Sequence, residues 1–233
     1  MNCVSLVCTV HEEQGLANVS ELHAILARIQ PEVIFLEVPP AAFDDYYEIF
    51  NRENLESNAV RQYRESHQVE LVPVDLPTPE QEFFENAEYL RTRIRETSPE
   101  YRQLITWDSA HVRAYGFAYL NSEHCSKLWS DVYKEMLSTI RRIGDSRLVE
   151  IYESWKETID LREKEMMENI QKHCRENTFD KSVFLVGAAH RQRIIDKSRE
   201  QSAIDSTRIQ WDFPSCMSQT TRESGAQQNC QSG

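Results

Sequence analysis

Residues 183–186, Val-Phe-Leu-Val, form an unbroken apolar run that ends at Gly187 and hands over to Ala188, Ala189 and His190. A strand without inside-outside alternation is buried on both faces, as strands are in a parallel sheet covered by helices on each side. Two other segments share this character. Residues 3–10 (CVSLVCTV) are apolar and rich in β-branched side chains, and residues 33–38 (VIFLEV) are interrupted only by Glu37 before Pro39 and Pro40 stop any ladder. Between them Leu22, Ile25, Leu26 and Ile29 recur at helical spacing, with Ser20 as a cap and Pro31 as a stop. The β-α-β order predicts a parallel pair with a right-handed crossover.

Residues 41–67 carry aromatic and aliphatic side chains at irregular helical spacing and read as two short helices. Residues 69–74 (VELVPV) make a third strand that stops at Asp75, and Thr78 with Pro79 marks a capped helix start. From there to residue 177 no strand-like run occurs. Breaks at Pro99 and at Gly144-Asp145 divide this block into helices over 79–97, 99–121, 123–143 and 146–177. In the last, Leu148, Ile151, Tyr152, Trp155, Ile159, Met166 and Ile170 form one stripe, read as core packing. Residues 208–213 predict a final edge strand. The expected architecture is one α/β domain over residues 1–213: a central parallel sheet of four or more strands flanked by helices, with a helical insertion over about 79–177. Residues 214–233 are polar and expected to be a disordered tail.

Charge narrows the range of partners. With 38 acidic against 26 basic residues the net charge is -12, which disfavours nucleic acid or an anionic membrane as the main partner. No apolar window is long enough for a transmembrane helix, and the first residues lack the pattern of a signal peptide. A cytoplasmic protein acting on a small molecule or peptide is therefore expected. The six cysteines form no C-x-x-C pair and read as reduced thiols, with Cys8 inert in its apolar strand.

Each predicted strand of the main sheet ends in ionisable groups: His11, Glu12 and Glu13 after the first, Glu37 closing the second, Asp75 after the third and His190 after Gly187. If these strands are parallel neighbours, the groups meet at one edge, where open sheets bind ligands. Glu37 is the sharpest of them, because an acid in an apolar strand costs several kcal/mol unless paired or metal-bound. Two histidines with a carboxylate are a donor set for manganese, cobalt or zinc, so His11, Glu37 and His190 are the expected ligands if a metal is present. Without metal the same groups suit general acid-base work on water. Glu12 and Glu13 cannot both face one crevice. In the long helix, Arg162, Met166 and Asn169 share a face, with Glu163 beside them.

These motifs resemble those of the superfamily that joins the erythromycin esterases, the TraB proteins, the haem-binding ChaN proteins and the Tiki metalloproteases. Gly187-Ala188-Ala189-His190 matches its second G-x-x-H element, and Cys8-Thr9-Val10-His11 matches the first with cysteine for glycine. Residues 31–37 (PEVIFLE) resemble the TraB strand that ends in glutamate, and Arg162-Glu163, Met166 and Asn169 match its helical element. The resemblance implies a parallel-sheet core with an inserted helical lobe, and both histidines and Glu37 in a shared pocket. The expected function is hydrolysis of a peptide or ester bond by water activated at His11, Glu37 and His190. Arg162 is expected to orient substrate or stabilise charge, with Glu12, Glu13, Asp75, Glu163 and Asn169 as substrate-binding candidates. The alternative is a protein that holds haem, a metal or another ligand without turnover.

Overall fold

The computed structural model describes residues 2–204 and 209–214. Apart from Pro214, the segment expected to be a disordered tail lies outside the described residues, as do Cys216 and Cys230. Five strands form one parallel sheet: β1 (Asn2–Thr9), β2 (Val33–Leu36), β3 (Glu70–Pro73), β4 (Lys181–Gly187) and β5 (Ile209–Asp212), in the order β3-β2-β4-β1-β5. Helices cover it, and the fold is α/β. β1 and β2 are parallel but not neighbours, contrary to the pairing expected from their chain order. β4 returns from the far side of the helical block and inserts between them, pairing Leu6 with Phe184 on one edge and Phe35 with Phe184 on the other. This suits its composition, because residues 182–186 are all buried and a strand covered on both faces is best satisfied when paired on both edges. β3 and β5 take the sheet edges, where the half-exposed β3 tolerates Pro73 in a ladder.

The order creates a topological switch point. From β2 the chain moves outward to β3, whereas from β4 it moves the other way, past β1 to β5. The carboxyl ends of β2 and β4 therefore flank the crevice in which open parallel sheets bind ligands.

The helices follow their caps. α1 (Val19–Ile29) starts two residues earlier than a cap at Ser20 would place it, because Asn18 accepts the Glu21 N–H at 3.0 Å. α2 (Phe43–Tyr47) and α3 (Leu55–Arg64) fill the 41–67 segment, and Asn54 and Ser57 form a capping box at the start of α3. α4 (Gln81–Thr97) begins after Pro79, with no side-chain cap from Glu80. Ser98 caps α5 (Pro99–Leu120), Ser122 caps α6 (Glu123–Ile143) and Asp145 caps α7 (Ser146–Glu176). α8 (Arg191–Ile204) follows β4 after a single 3-10 turn over Ala188–His190. No helix among the described residues is long and apolar enough to cross a membrane.

Two clusters of buried side chains hold these parts together. One contains the sheet and the helices on it; the other lies among α4, α5, α6 and the first half of α7. α7 joins the two: Leu148, Ile151 and Tyr152 pack in the lobe, whereas Met166, Met167 and Ile170 pack on the sheet. At a rise of 1.5 Å per residue this helix runs for about 46 Å, enough to span both. Arg162 and Glu163 lie near the changeover, and the same helix that builds the lobe delivers charge to the sheet's edge.

Candidate functional site

Glu37 follows β2 directly, and its backbone N–H still reaches Leu185 O of β4 at 3.3 Å. Its side chain is held from three sides. Oε2 accepts the Gly187 N–H at 2.6 Å, Oε1 accepts from Arg162 Nη2 at 2.7 Å, and His190 Nε2 stands 3.4 Å from Oε1. Gly187 has φ -57, which any residue adopts, so the strand's end needs no special backbone freedom. A Cβ there would make ordinary contacts, 3.4 Å from Glu37 Oε2 and 3.7 Å from His190 Cδ2. Burial by itself favours the neutral acid, but His190, Arg162 and the Gly187 N–H outweigh it and hold Glu37 far below the ordinary carboxylate range.

Arg162 binds a second carboxylate as well. Its Nε and Nη2 form a fork on Asp75, with Nη2 2.6 Å from Oδ2, and Asp75 Oδ1 also accepts the Leu76 N–H. The two acids, themselves nearly buried, keep the guanidinium charged against the cost of burial. Its Nη1 makes no hydrogen bond among the described residues. Asn169, two turns along α7, ties the helix to the end of β3 by donating to Val74 O at 2.9 Å.

Successive positions on a helix diverge by about 100°, and Glu163 accordingly points behind the site. It is fully buried, its Oε1 lies 2.8 Å from His190 Nδ1, and Lys197 Nζ is 3.6 Å from Oε2. His190 is therefore clasped between two carboxylates. Burial favours its neutral ring, but Glu37 and Glu163 outweigh this and raise its pKa to about 9. Nδ1 is within hydrogen-bond distance of Glu163 and Nε2 faces Glu37 at ion-pair range, so the surroundings favour the protonated ring and leave neither nitrogen turned to an open site.

His11 stands on the other side of Glu37. It shares a pocket of about 570 Å³ with Glu12, Glu37, Glu56, Asp75 and Arg162, walled by Tyr46, Tyr47, Phe83 and Phe84. This is within the range of small-molecule sites. His11 O accepts the Leu55 N–H at 2.9 Å, which docks the start of α3 against the end of β1 and brings Glu56 beside the ring. Glu56 Oε1 lies 3.2 Å from His11 Nδ1 and accepts from Thr9 Oγ1 at 2.6 Å. The hydrogen bond to Glu56 opposes the effect of burial and raises the His11 pKa to about 9, although the side chain is 64% exposed and solvent weakens that pairing. Because a carboxylate only accepts, Nδ1 carries the proton and Nε2 is the nitrogen left for chemistry.

The loop that presents His11 is anchored at a distance. Leu16 N–H donates to Arg113 O at 3.0 Å, and α5 breaks its helical geometry at Gly116, with φ 51 and ψ -133. Gly15 and Gly116 both have positive φ, and a Cβ on either would collide with backbone of the other segment.

The residues expected from the sequence thus separate into groups. Glu37, Asp75, Arg162 and His190 form one ion-paired cluster, with Glu163 behind it. His11 and Glu12 line the pocket in front. Glu13 turns away and caps α1, its Oε1 accepting the Val19 N–H at 2.7 Å. Glu163 and Asn169 do not line the pocket, the first because it is fully buried and the second because its amide is spent on Val74. Glu56 escaped the sequence reading, since an acid in the first turn of a helix looks like an ordinary favourable end charge. Cys8 is buried and its thiol is pushed far above its usual range, which fits packing.

The expected metal ligands do not fit a cation as arranged. A metal needs neutral imidazole and free carboxylate lone pairs, whereas both ring nitrogens of His190 face carboxylates and Glu37 is engaged by a guanidinium, the His190 ring and a backbone N–H. Among the described residues no group of three or more His, Cys, Asp or Glu side chains is placed to hold a metal ion. Comparison of the chain with protein-family models, with curated proteins and with solved structures returns no match.

Proposed function

We propose that the pocket before Glu37 hydrolyses an ester or peptide bond in a small molecule or peptide, with His11 as the proton-transfer residue and no metal at the sheet edge. The observation that carries this reading is the Glu56–His11 pair: a buried carboxylate 3.2 Å from Nδ1 of an imidazole that is open to a pocket shared with Arg162. Neutral His11 takes a proton from water at Nε2 as the water oxygen attacks the carbonyl, and Glu56 stabilises the imidazolium that results. Arg162, fixed by Glu37 and Asp75, offers its remaining N–H groups to the oxyanion. The imidazolium then returns its proton to the leaving oxygen or nitrogen. Glu37 and His190 act as positioning residues, and Phe83 and Phe84 offer apolar surface to the rest of the substrate. The likeness of the G-x-x-H elements to those of the erythromycin esterases supports the same reaction class.

The test is an assay of p-nitrophenyl esters and a peptide library from pH 6 to 10, with and without EDTA. Activity is expected to rise toward about pH 9 as His11 loses its proton, to survive EDTA, and to fall at least about 100-fold in His11→Ala. In Glu56→Gln the rise shifts to lower pH, because the group that retains the proton is gone. Full activity in a folded His11→Ala protein would overturn the assignment.

A second reading, ligand binding without turnover, draws on the mutual neutralisation of Glu37, Asp75, Arg162 and His190. Of the two site histidines, His11 offers Nε2 to haem iron, since both nitrogens of His190 face carboxylates. A Soret band that disappears in His11→Ala, with no hydrolysis in the same assays, would decide for this reading.

A further inference from the structure

Behind His190, inside the helical lobe, lies a second cavity of about 320 Å³, distinct from the front pocket. Its walls come from α4, α5, α6 and α7, and Ala189 and His190 close one end. The lining is mostly apolar and strongly aromatic. Trp129 and Tyr133 have ring centroids 5.9 Å apart, and Tyr133 and Trp155 are 5.8 Å apart, so three rings follow one another along the cavity. Protein interiors seldom leave voids larger than a water molecule, and this one is within the size range of small-ligand sites.

Two polar features suggest what fills it. Trp129 Nε1 is buried and has no acceptor among the described residues, although buried indole N–H groups normally find one. Arg91 and the solvent-exposed Arg95 also belong to the lining and contribute two guanidinium groups. Arg91 is engaged by Glu88 at 3.0 Å, an exposed pair one turn apart, whereas Arg95 has no ion pair among the described residues. A site with aromatic walls, one unused N–H and two guanidinium groups in its lining favours a flat apolar body with an anionic head.

We infer that this cavity is a binding site for a small aromatic carboxylate, its ring among Trp129, Tyr133 and Trp155 and its carboxylate at Arg91 and Arg95. Arginine recognises a carboxylate through paired N–H donors, and the exchange of Glu88 for a ligand acid leaves Arg91 fully satisfied.

The experiment titrates the full chain with 3-phenylpropionate by calorimetry and tryptophan emission, with 3-phenylpropanol as the uncharged counterpart. One molecule of the acid is expected to bind, with changed tryptophan emission, and the alcohol to bind at least tenfold more weakly. Arg95→Glu, an exposed substitution that leaves the core untouched, is expected to weaken the acid at least tenfold, and Ile105→Trp to block the cavity. Binding that persists in His11→Ala would separate this site from the front pocket. Absence of binding to the unaltered chain, or binding undiminished by both Arg95→Glu and Ile105→Trp, would overturn the inference.

Discussion

Arg162 Nη2 donates to Glu37 Oε1 at 2.7 Å across 125 positions of sequence, joining a helix of the inserted lobe to the end of the second strand. The contact is more than a local ion pair. Because the same guanidinium holds Asp75, and Glu37 in turn holds Gly187 and His190, the ends of β2, β3 and β4 are fastened to α7 through one network. Nearly all of it is buried, so each charge depends on its neighbours for compensation.

Removal of Arg162 is accordingly expected to be costly. Arg162→Met leaves the buried Asp75 without its cation and Glu37 with His190 alone, and a loss of roughly 3–5 kcal/mol is expected from breaking such a network. Arg162→Lys restores charge but not the fork, and is expected to recover only part of the loss. Urea unfolding of the three proteins is the measurement, and equal stability of all three would show that the network contributes nothing.

His190 makes stability depend on pH in the alkaline direction. Its folded pKa of about 9 is above the usual 6.5, so the folded state retains a proton that the unfolded chain releases earlier. The contribution is fully present below about pH 6.5 and is lost as pH rises through about 9, a change on the order of 3 kcal/mol. Glu37, shifted the opposite way, adds stability above its ordinary range that disappears only in strong acid. His11 titrates near the same alkaline pH, so the comparison is with His190→Gln, whose unfolding free energy is expected to fall less between pH 6.5 and 9.5. Parallel curves for the two proteins would remove His190 from the account.

The glycines supply a paired test of how the His11 loop is held. Gly116→Ala places a Cβ 2.5 Å from Leu16 O at a φ of 51, and is expected to cost about 1–3 kcal/mol in strain and to displace the loop. Gly144→Ala has a φ of 73 but meets nothing within 4 Å, so only its backbone cost applies and the His11 loop is unaffected. Unfolding free energies give the first comparison, and the NMR titration of the His11 ring gives the second. A Gly116→Ala protein with unaltered stability and His11 titration would show that the loop is anchored elsewhere.

The chain's local chemistry determined the strands, the helical block and the acids and histidines at the strand ends. Apolar runs such as residues 183–186 and breaks such as Pro99 and Gly144 act over a few residues and are readable locally, whereas the caps expected at Ser20 and Thr78 gave way to Asn18 and to a start without a side-chain cap. Tertiary structure decided the rest. β4 inserts between β1 and β2 because its apolar residues 183–186 are best satisfied there, a choice that pairing energies make among distant segments. Likewise, nothing near His11 in the sequence announces Glu56, and nothing near His190 announces that two carboxylates will keep it charged. The identity of an ionisable side chain is local, but its charge state and its partner depend on burial and on groups brought from elsewhere in the chain.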